Sequence, residues 1–304
     1  MELAARVLDG DKTACARLIS LVENESPGYT DALKALYHRA DDTYVIGITG
    51  PPGAGKSTLT DKLVKLLADS GERVGVLAID PTSPFSRGAI LGDRIRMAAV
   101  SGNPNVFIRS MGSRGHLGGL SKHTANAAVV LSAYGCSYIF VETVGVGQSE
   151  IDIAGMADTT VMVLAPGLGD DIQAIKAGVM EIGDAFAINK ADKEGAGKTY
   201  RETLASLDFK TDWDFKPPVC QTAAETGEGV EKLLENIMAH KTYLYNSGEL
   251  NAKRARRKAA HMRDIVRDRL TRRIERLIAS KADVLENGAD PYTLADELIK
   301  ERFQ

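Results

Sequence analysis

The chain has 304 residues, enough for one large domain with an appendage or for two small ones. Its 38 Lys and Arg stand against 41 Asp and Glu, for a net charge of −3, which argues against nucleic acid as the main partner. At 44% hydrophobic and 26% charged residues it reads as globular, and no run approaches the roughly 18 apolar residues of a membrane span.

The opening MELAARVLDGDK carries acids and no long apolar core, so a secretory leader is not expected. Cys15, Cys136 and Cys220 are far apart and form no C-x-x-C, which suits a reducing cytosol better than a disulfide framework or a Cys-rich metal site. Residues 1–40 read as a helical preface. Asp11 is placed to cap a helix through Lys12–Glu23, Gly28 breaks it, and Tyr29–Arg39 resumes.

From Tyr44 the pattern changes to alternating strands and helices, over a domain spanning 41–245. Strands are expected at Tyr44–Thr49, Arg73–Ile79, Asn105–Ile108, Ser137–Glu142, Thr159–Ala165, Ala185–Asn189 and Val219–Thr222. This alternation predicts an α/β fold, a mostly parallel doubly wound sheet covered on both faces, with ligands at the carboxyl ends of the strands.

The first strand runs into GPPGAGKST, which fits G-x-x-x-x-G-K-[ST] between a strand and a helix, the P-loop context. Gly50, Gly53, Ala54 and Gly55 let the backbone turn its N–H groups towards phosphates. Lys56 supplies a full charge, Ser57 a hydroxyl for Mg²⁺, and Thr58 lies in the first turn of a helix whose dipole favours anions. The second strand ends at Asp80, before a Pro/Gly/Ser-rich loop holding Arg87 and Asp93. Two carboxylates suit a hydrated Mg²⁺ and the loop suits a switch, although Asp93 can equally cap a helix.

Residues 110–121, SMGSRGHLGGLS, are too rich in glycine for a regular element and carry Arg114 and His116. The strand SYIFVE then ends in Glu142, a Walker B arrangement with Glu for the commoner Asp. It is followed by Gly145, whose N–H can meet the γ-phosphate, and Gln148, a candidate to orient the attacking water. Gln173 and Lys176, one turn apart, look on their own like an exposed helix face. At the end of a buried strand stands N-K-x-D. Asn189 can bond the guanine base edge and fix the loop, the Lys190 stem can stack on a base, and Asp192 can accept two hydrogen bonds from guanine N1–H and N2–H₂. Adenine offers no such pair and would leave the carboxylate unpaired, so the pattern selects GTP and GDP. Thr222 and Ala223 stand where a further backbone contact to the base is usual. Residues 246–304 form a helical arm whose Lys253–Arg276 stretch combines an apolar stripe with a basic face, suited to packing against another subunit.

These segments together resemble the MeaB/ArgK family of G proteins. The likeness rests on GPPGAGKST, AIDPTSPFSRGAILGDR, SRGHLGGLS, FVETVGVGQSE, GLGDDIQAIKAG and NKAD, which run in order from about residue 45 to 230. The resemblance implies a P-loop GTPase of the signal-recognition and MinD-like group. It implies a cytoplasmic, Mg²⁺-dependent chaperone that gates adenosylcobalamin delivery to an acyl-CoA mutase, typically methylmalonyl-CoA mutase. Carried over by position, Lys56, Glu142 and Gln148 serve hydrolysis; Ser57, Asp80, Asp93 and Glu142 surround the metal; and Arg87, Gln173 and Lys176 belong to switches that sense the mutase. It also implies a homodimer through the arm. The competing classes are a metal-insertion GTPase, which would usually show a His-rich or Cys-paired site, and a transport-protein kinase of the ArgK type, which needs an acceptor site beside the γ-phosphate.

Overall fold

A computed structural model describes residues 2–80, 100, 102–112, 122–143, 149–167, 180–281 and 289–303. Arg87, Asp93, Arg114, His116, Gly145, Gln148, Gln173 and Lys176 lie outside them. Contacts divide the chain into Met1–Ala255 and Arg256–Gln304.

In the first unit three helices, α1 (Glu2–Leu8), α2 (Lys12–Glu23) and α3 (Tyr29–Leu36), precede the sheet. Asp11 caps α2 as expected, its carboxylate accepting from the N–H groups of Thr13 and Ala14 at 2.8 and 2.9 Å. Seven strands follow: β1 (Tyr44–Thr49), β2 (Val74–Asp80), β3 (Val106–Gly112), β4 (Tyr138–Thr143), β5 (Thr159–Leu164), β6 (Ala185–Ile188) and β7 (Val219–Gln221). They form one sheet in the order β3-β2-β4-β1-β5-β6-β7, every pair parallel. The expected α/β architecture is therefore present, with the P-loop strand β1 at its centre.

The helices between strands are α4 (Lys56–Asp69), α5 (Lys122–Ala133), α6 (Ser149–Met156) and α7 (Ala196–Asp208); α8 (Val230–Ser247) follows β7. Strand periodicity sorts the core onto two faces. Tyr44, Ile46 and Ile48 of β1 pack with Val161, Val163 and Phe140 against α4 and α8. Val45 packs on the other face with Ile139, Val141 and Leu77, beneath α5 and the preface helices. Leu18, Ile19, Val22 and Leu36 are fully buried there, so the preface is part of the core. It also covers the β3 edge, where Lys12 Nζ donates to the Val106 carbonyl at 2.8 Å and Arg109 pairs with Glu23. Covering an edge strand removes a template for intermolecular pairing. The three cysteines are buried and free, and burial pushes Cys136 up to about 12 and Cys220 up to about 11.

The second unit holds most of α9 (Glu249–Ala279) and all of α10 (Pro291–Phe303). Along α9, Met262, Val266, Leu270, Ile274 and Ile278 recur every four residues and are all more than two-fifths exposed. Among the described residues no helix is long and apolar enough to cross a membrane.

One buried histidine makes stability depend on pH. His240 of α8 is 4% exposed. Its Nδ1 lies 2.8 Å from Thr159 Oγ1, which lies 2.6 Å from the Tyr44 hydroxyl, and its Nε2 lies 3.6 Å from Asp184. Phe215 and Tyr243 flank the ring. When Tyr44 donates to Thr159 and Thr159 to Nδ1, the ring proton sits on Nε2 and the imidazole is neutral. Burial lowers its pKa, Asp184 and Asp158 oppose the shift, and Lys253 reinforces it. The unfolded chain therefore takes up this proton first as pH falls below about 6.5, and native stability drops until the folded pKa is passed. Replacing His240 by Gln should flatten the acid side of the stability curve, by at most about 1.4 kcal/mol per pH unit for one proton. Urea unfolding between pH 7.5 and 5 reads this slope, and an unchanged slope would assign the acid sensitivity elsewhere.

Candidate nucleotide site

At the carboxyl ends of the strands a cavity of about 590 Å³ opens between three loops. One end is the loop between β1 and α4. Gly55, at φ +91°, is the N-cap of α4 and has no side chain with which to bond the first-turn N–H groups of Lys56, Ser57 and Thr58. Those donors, with the helix dipole, make an anion site. Lys56 is 6% exposed, and its ammonium donates to the carbonyls of Gly50 and Pro51 at 2.7 and 3.0 Å. Gly53, Gly55, Lys56, Ser57 and Thr58 line the cavity.

Gly50 and Ala54 serve differently. Gly50 sits at φ +136°, and a Cβ there would lie 2.0 Å from the Val163 carbonyl oxygen, so only glycine lets the chain leave β1 against β5. Ala54 is buried, and its carbonyl accepts from Asn189 Nδ2 at 2.8 Å.

The Ser57 hydroxyl donates to Glu142 Oε1 at 2.5 Å. Glu142 is 5% exposed, near the end of β4 and in register with Ile48 of β1 and Ala78 of β2. The sheet thus brings together a serine and a glutamate 85 residues apart. Two hard oxygen donors beside a phosphate cradle fit Mg²⁺, which takes one or two protein ligands and fills its shell with phosphate oxygens and water. Asp80 ends β2, its backbone opposite Gly112 of β3, and its neighbour Ile79 lines the cavity. Nothing is described for the Asp80 side chain.

The other end is built on Asn189, 2% exposed at the end of β6. Its amide ties three loops. Besides the bond to Ala54, Oδ1 accepts from Thr222 Oγ1 at 3.2 Å and from the Ala224 N–H at 3.1 Å. Lys190 follows at φ +57°, left-handed in a non-glycine residue, a local strain of order 1–3 kcal/mol of the kind that gathers at binding sites. Asn189, Lys190 and Asp192 line the cavity.

Thr222 and Ala223 do not line it, and their N–H groups are already used. Thr222 N–H donates to the Ile188 carbonyl and Ala223 N–H to the Glu228 carbonyl, both at 2.9 Å. The loop instead presents Ala224 and Glu225 to the cavity. Ala224 N–H is held by Asn189, whereas the N–H of Glu225 makes no hydrogen bond among the described residues. Lys193, 3.3 Å from Asp192, and Thr143 also line the cavity; sequence reasoning missed them, Ala224 and Glu225, although Lys193, Thr143 and Ala224 each adjoin a residue it found.

The geometry predicts that Gly55 tolerates no side chain. A Cβ at its left-handed φ would meet Asn189 Nδ2 at 2.3 Å, and Asn189 cannot turn aside without giving up its bonds to two other loops. Gly55→Ala should keep the fold by circular dichroism and weaken GDP binding about 100-fold, near 2.7 kcal/mol, in a calorimetric titration. Retained affinity would show the clamp to be soft.

The chain is similar to known proteins. The sequence profile of the methylmalonyl-CoA mutase-associated GTPase family MeaB matches residues 15–279. A putative GTPase of Pyrococcus horikoshii is 50% identical over 307 residues, covering 98% of this chain and 97% of its own. The mitochondrial methylmalonic aciduria type A homolog of Mus musculus is 31% identical, covering 97% of this chain and 77% of its own. Among solved structures, a LAO/AO transport system kinase superposes with a TM-score of 0.73 at 26% identity, covering 100% of this chain and 97% of that one.

Proposed function

The chain belongs to the MeaB family of GTPases, and from that premise we propose that it is a Mg²⁺-dependent GTP switch serving as chaperone to an adenosylcobalamin-dependent acyl-CoA mutase. The observation that carries the nucleotide reading is the single cavity wall in which Asn189 joins the phosphate loop to the Lys190–Asp192 loop. The mutase reading is supported by the family's name and by that of the mouse relative. Methylmalonyl-CoA mutase is the client those names favour.

Ser57 and Glu142 hold the metal on this reading, with Asp80 and Asp93 in its surroundings. The ion supplies positive charge against the β- and γ-phosphate oxygens. Lys56 and the uncapped N–H groups of Lys56, Ser57 and Thr58 stabilise the charge that develops as water attacks the γ-phosphate in line, and Gln148 orients that water. Gly145 donates to the γ-phosphate. Arg87, Gln173 and Lys176 answer to the partner. Asp192 takes the two guanine donors, the Lys190 stem covers the ring, and the N–H of Glu225, in place of Thr222 or Ala223, donates to guanine O6. The exposed stripe of α9 supports a homodimer, and the reading places the protein in the cytoplasm.

Base readout has a direct test. Asp192→Asn should shift preference from GDP to xanthosine diphosphate, read by competition binding. Glu225→Pro removes one N–H and should bind GDP about tenfold more weakly than Glu225→Ala does, a loss near 1.4 kcal/mol. Equal affinities would return the O6 contact to another donor.

The chaperone role is tested by turnover. GTP hydrolysis by the protein alone should be slow and should rise at least about tenfold with the cognate mutase, because an ordered switch lowers the barrier where a mobile one does not. Identical rates with and without mutase would remove the coupling and leave a GTPase with another client.

A further inference from the structure

Two basic residues from the start of α9, half-buried Lys253 and buried Arg254, reach the amino ends of the strands, opposite the cavity. Lys253 Nζ donates to the Asp158 carbonyl at 2.9 Å and pairs with Asp184 at 3.1 Å. Arg254, 8% exposed, donates from Nη1 to the Asp41 carbonyl at 2.6 Å. Its Nη2 donates to the Thr43 carbonyl at 2.8 Å and lies 3.4 Å from the Asp158 carboxylate.

The two aspartates stand immediately before strands. Asp158, fully buried, precedes β5, and its carboxylate accepts the N–H of Val45 in β1 at 2.9 Å. Asp184 precedes β6, and its carboxylate accepts the N–H of Thr160 in β5 at 2.8 Å. The amino ends of β1, β5 and β6 are thus joined through Asp158 and Asp184 to Lys253 and Arg254. The carboxyl ends of β1 and β6 deliver Gly50 and Asn189 to the nucleotide cavity.

Apolar side chains would hold a helix here at less desolvation cost, since buried ion pairs rarely add stability over a hydrophobic replacement. What directed charges supply is a fixed register. We propose that this cluster is a latch: Lys253 and Arg254 lock the first turns of α9 to the ends of β1, β5 and β6, so that nucleotide binding at the opposite ends of β1 and β6 is transmitted to the root of α9. Lys253 and Arg254 act as positioning residues, remote from any reacting atom. The proposal rests on the nucleotide reading above.

Hydrogen exchange of the full chain, with and without GDP and Mg²⁺, tests it. In the wild type GDP should slow exchange in peptides covering 49–60 and, by about tenfold or more, in those covering 249–256. In the Lys253→Met, Arg254→Met double variant the 49–60 protection should persist, while the 249–256 amides exchange faster and no longer respond to GDP. Should that variant fail to fold, Lys253→Met alone leaves the Arg254 bonds in place and should lower the GDP response at 249–256 at least threefold. A root indifferent to GDP in the wild type, or a response that survives these substitutions, overturns the latch. Absence of protection at 49–60 itself would overturn the nucleotide reading, and the latch with it. A merely structural role would change the protection level but keep its dependence on nucleotide.

Discussion

The site depends on the side-chain amide of Asn189. Its Nδ2 reaches Ala54, its Oδ1 takes Thr222 and Ala224, and its backbone N–H extends the β5–β6 ladder to Leu164 at 2.7 Å. One amide has one acceptor and two donors, and here two loops from different parts of the chain use it at 2% exposure. Removing it would leave buried groups in each loop unpaired, at about 1–3 kcal/mol apiece. The loop between β1 and α4 and the Lys190–Asp192 loop are therefore held at a fixed distance by this bond. This explains why Gly55 has no room: the amide occupies the space a Cβ would need.

The second constraint is the sheet itself. Parallel strands with both faces covered place every carboxyl end on one side, and β1 lies between β4 and β5. Ser57 can therefore meet Glu142, and Gly50 can lie against Val163, without long excursions of the chain. At the other end of the strands, buried Asp158 and half-buried Asp184 meet His240 of α8 and Lys253 and Arg254 at the start of α9. Both ends of the same strands carry polar networks, and only apolar residues separate them.

Much of this was legible in the sequence, and the reasons it stopped are physical. Tyr44–Thr49 and the cap at Asp11 were found as they stand, because a buried strand and a capped helix leave local signals. β3 was drawn too short: Arg109 and Ser110 break the apolar pattern, and they are tolerated because an edge strand needs only one ladder and Arg109 finds Glu23 on the preface. Thr222 and Ala223 were named for a base contact by their place in the chain, but which N–H is left over depends on the carbonyls of Ile188 and Glu228, brought near only by folding. Lys253 and Arg254 read as the start of a basic exposed face, and nothing local distinguishes them from the lysines and arginines that follow.

The order of strands also bears on synthesis. β1 pairs with β4 and β5, whose residues follow it by about a hundred positions, and the amide that clasps its loop comes later still. A nascent chain that has not yet reached Ala224 lacks one partner of that amide. Contacts this distant in sequence form slowly. The loop between β1 and α4, made before its partners, thus remains an unbraced turn until Asn189 has followed it out of the ribosome, and Asn189 itself is not fully held until Thr222 and Ala224 have emerged.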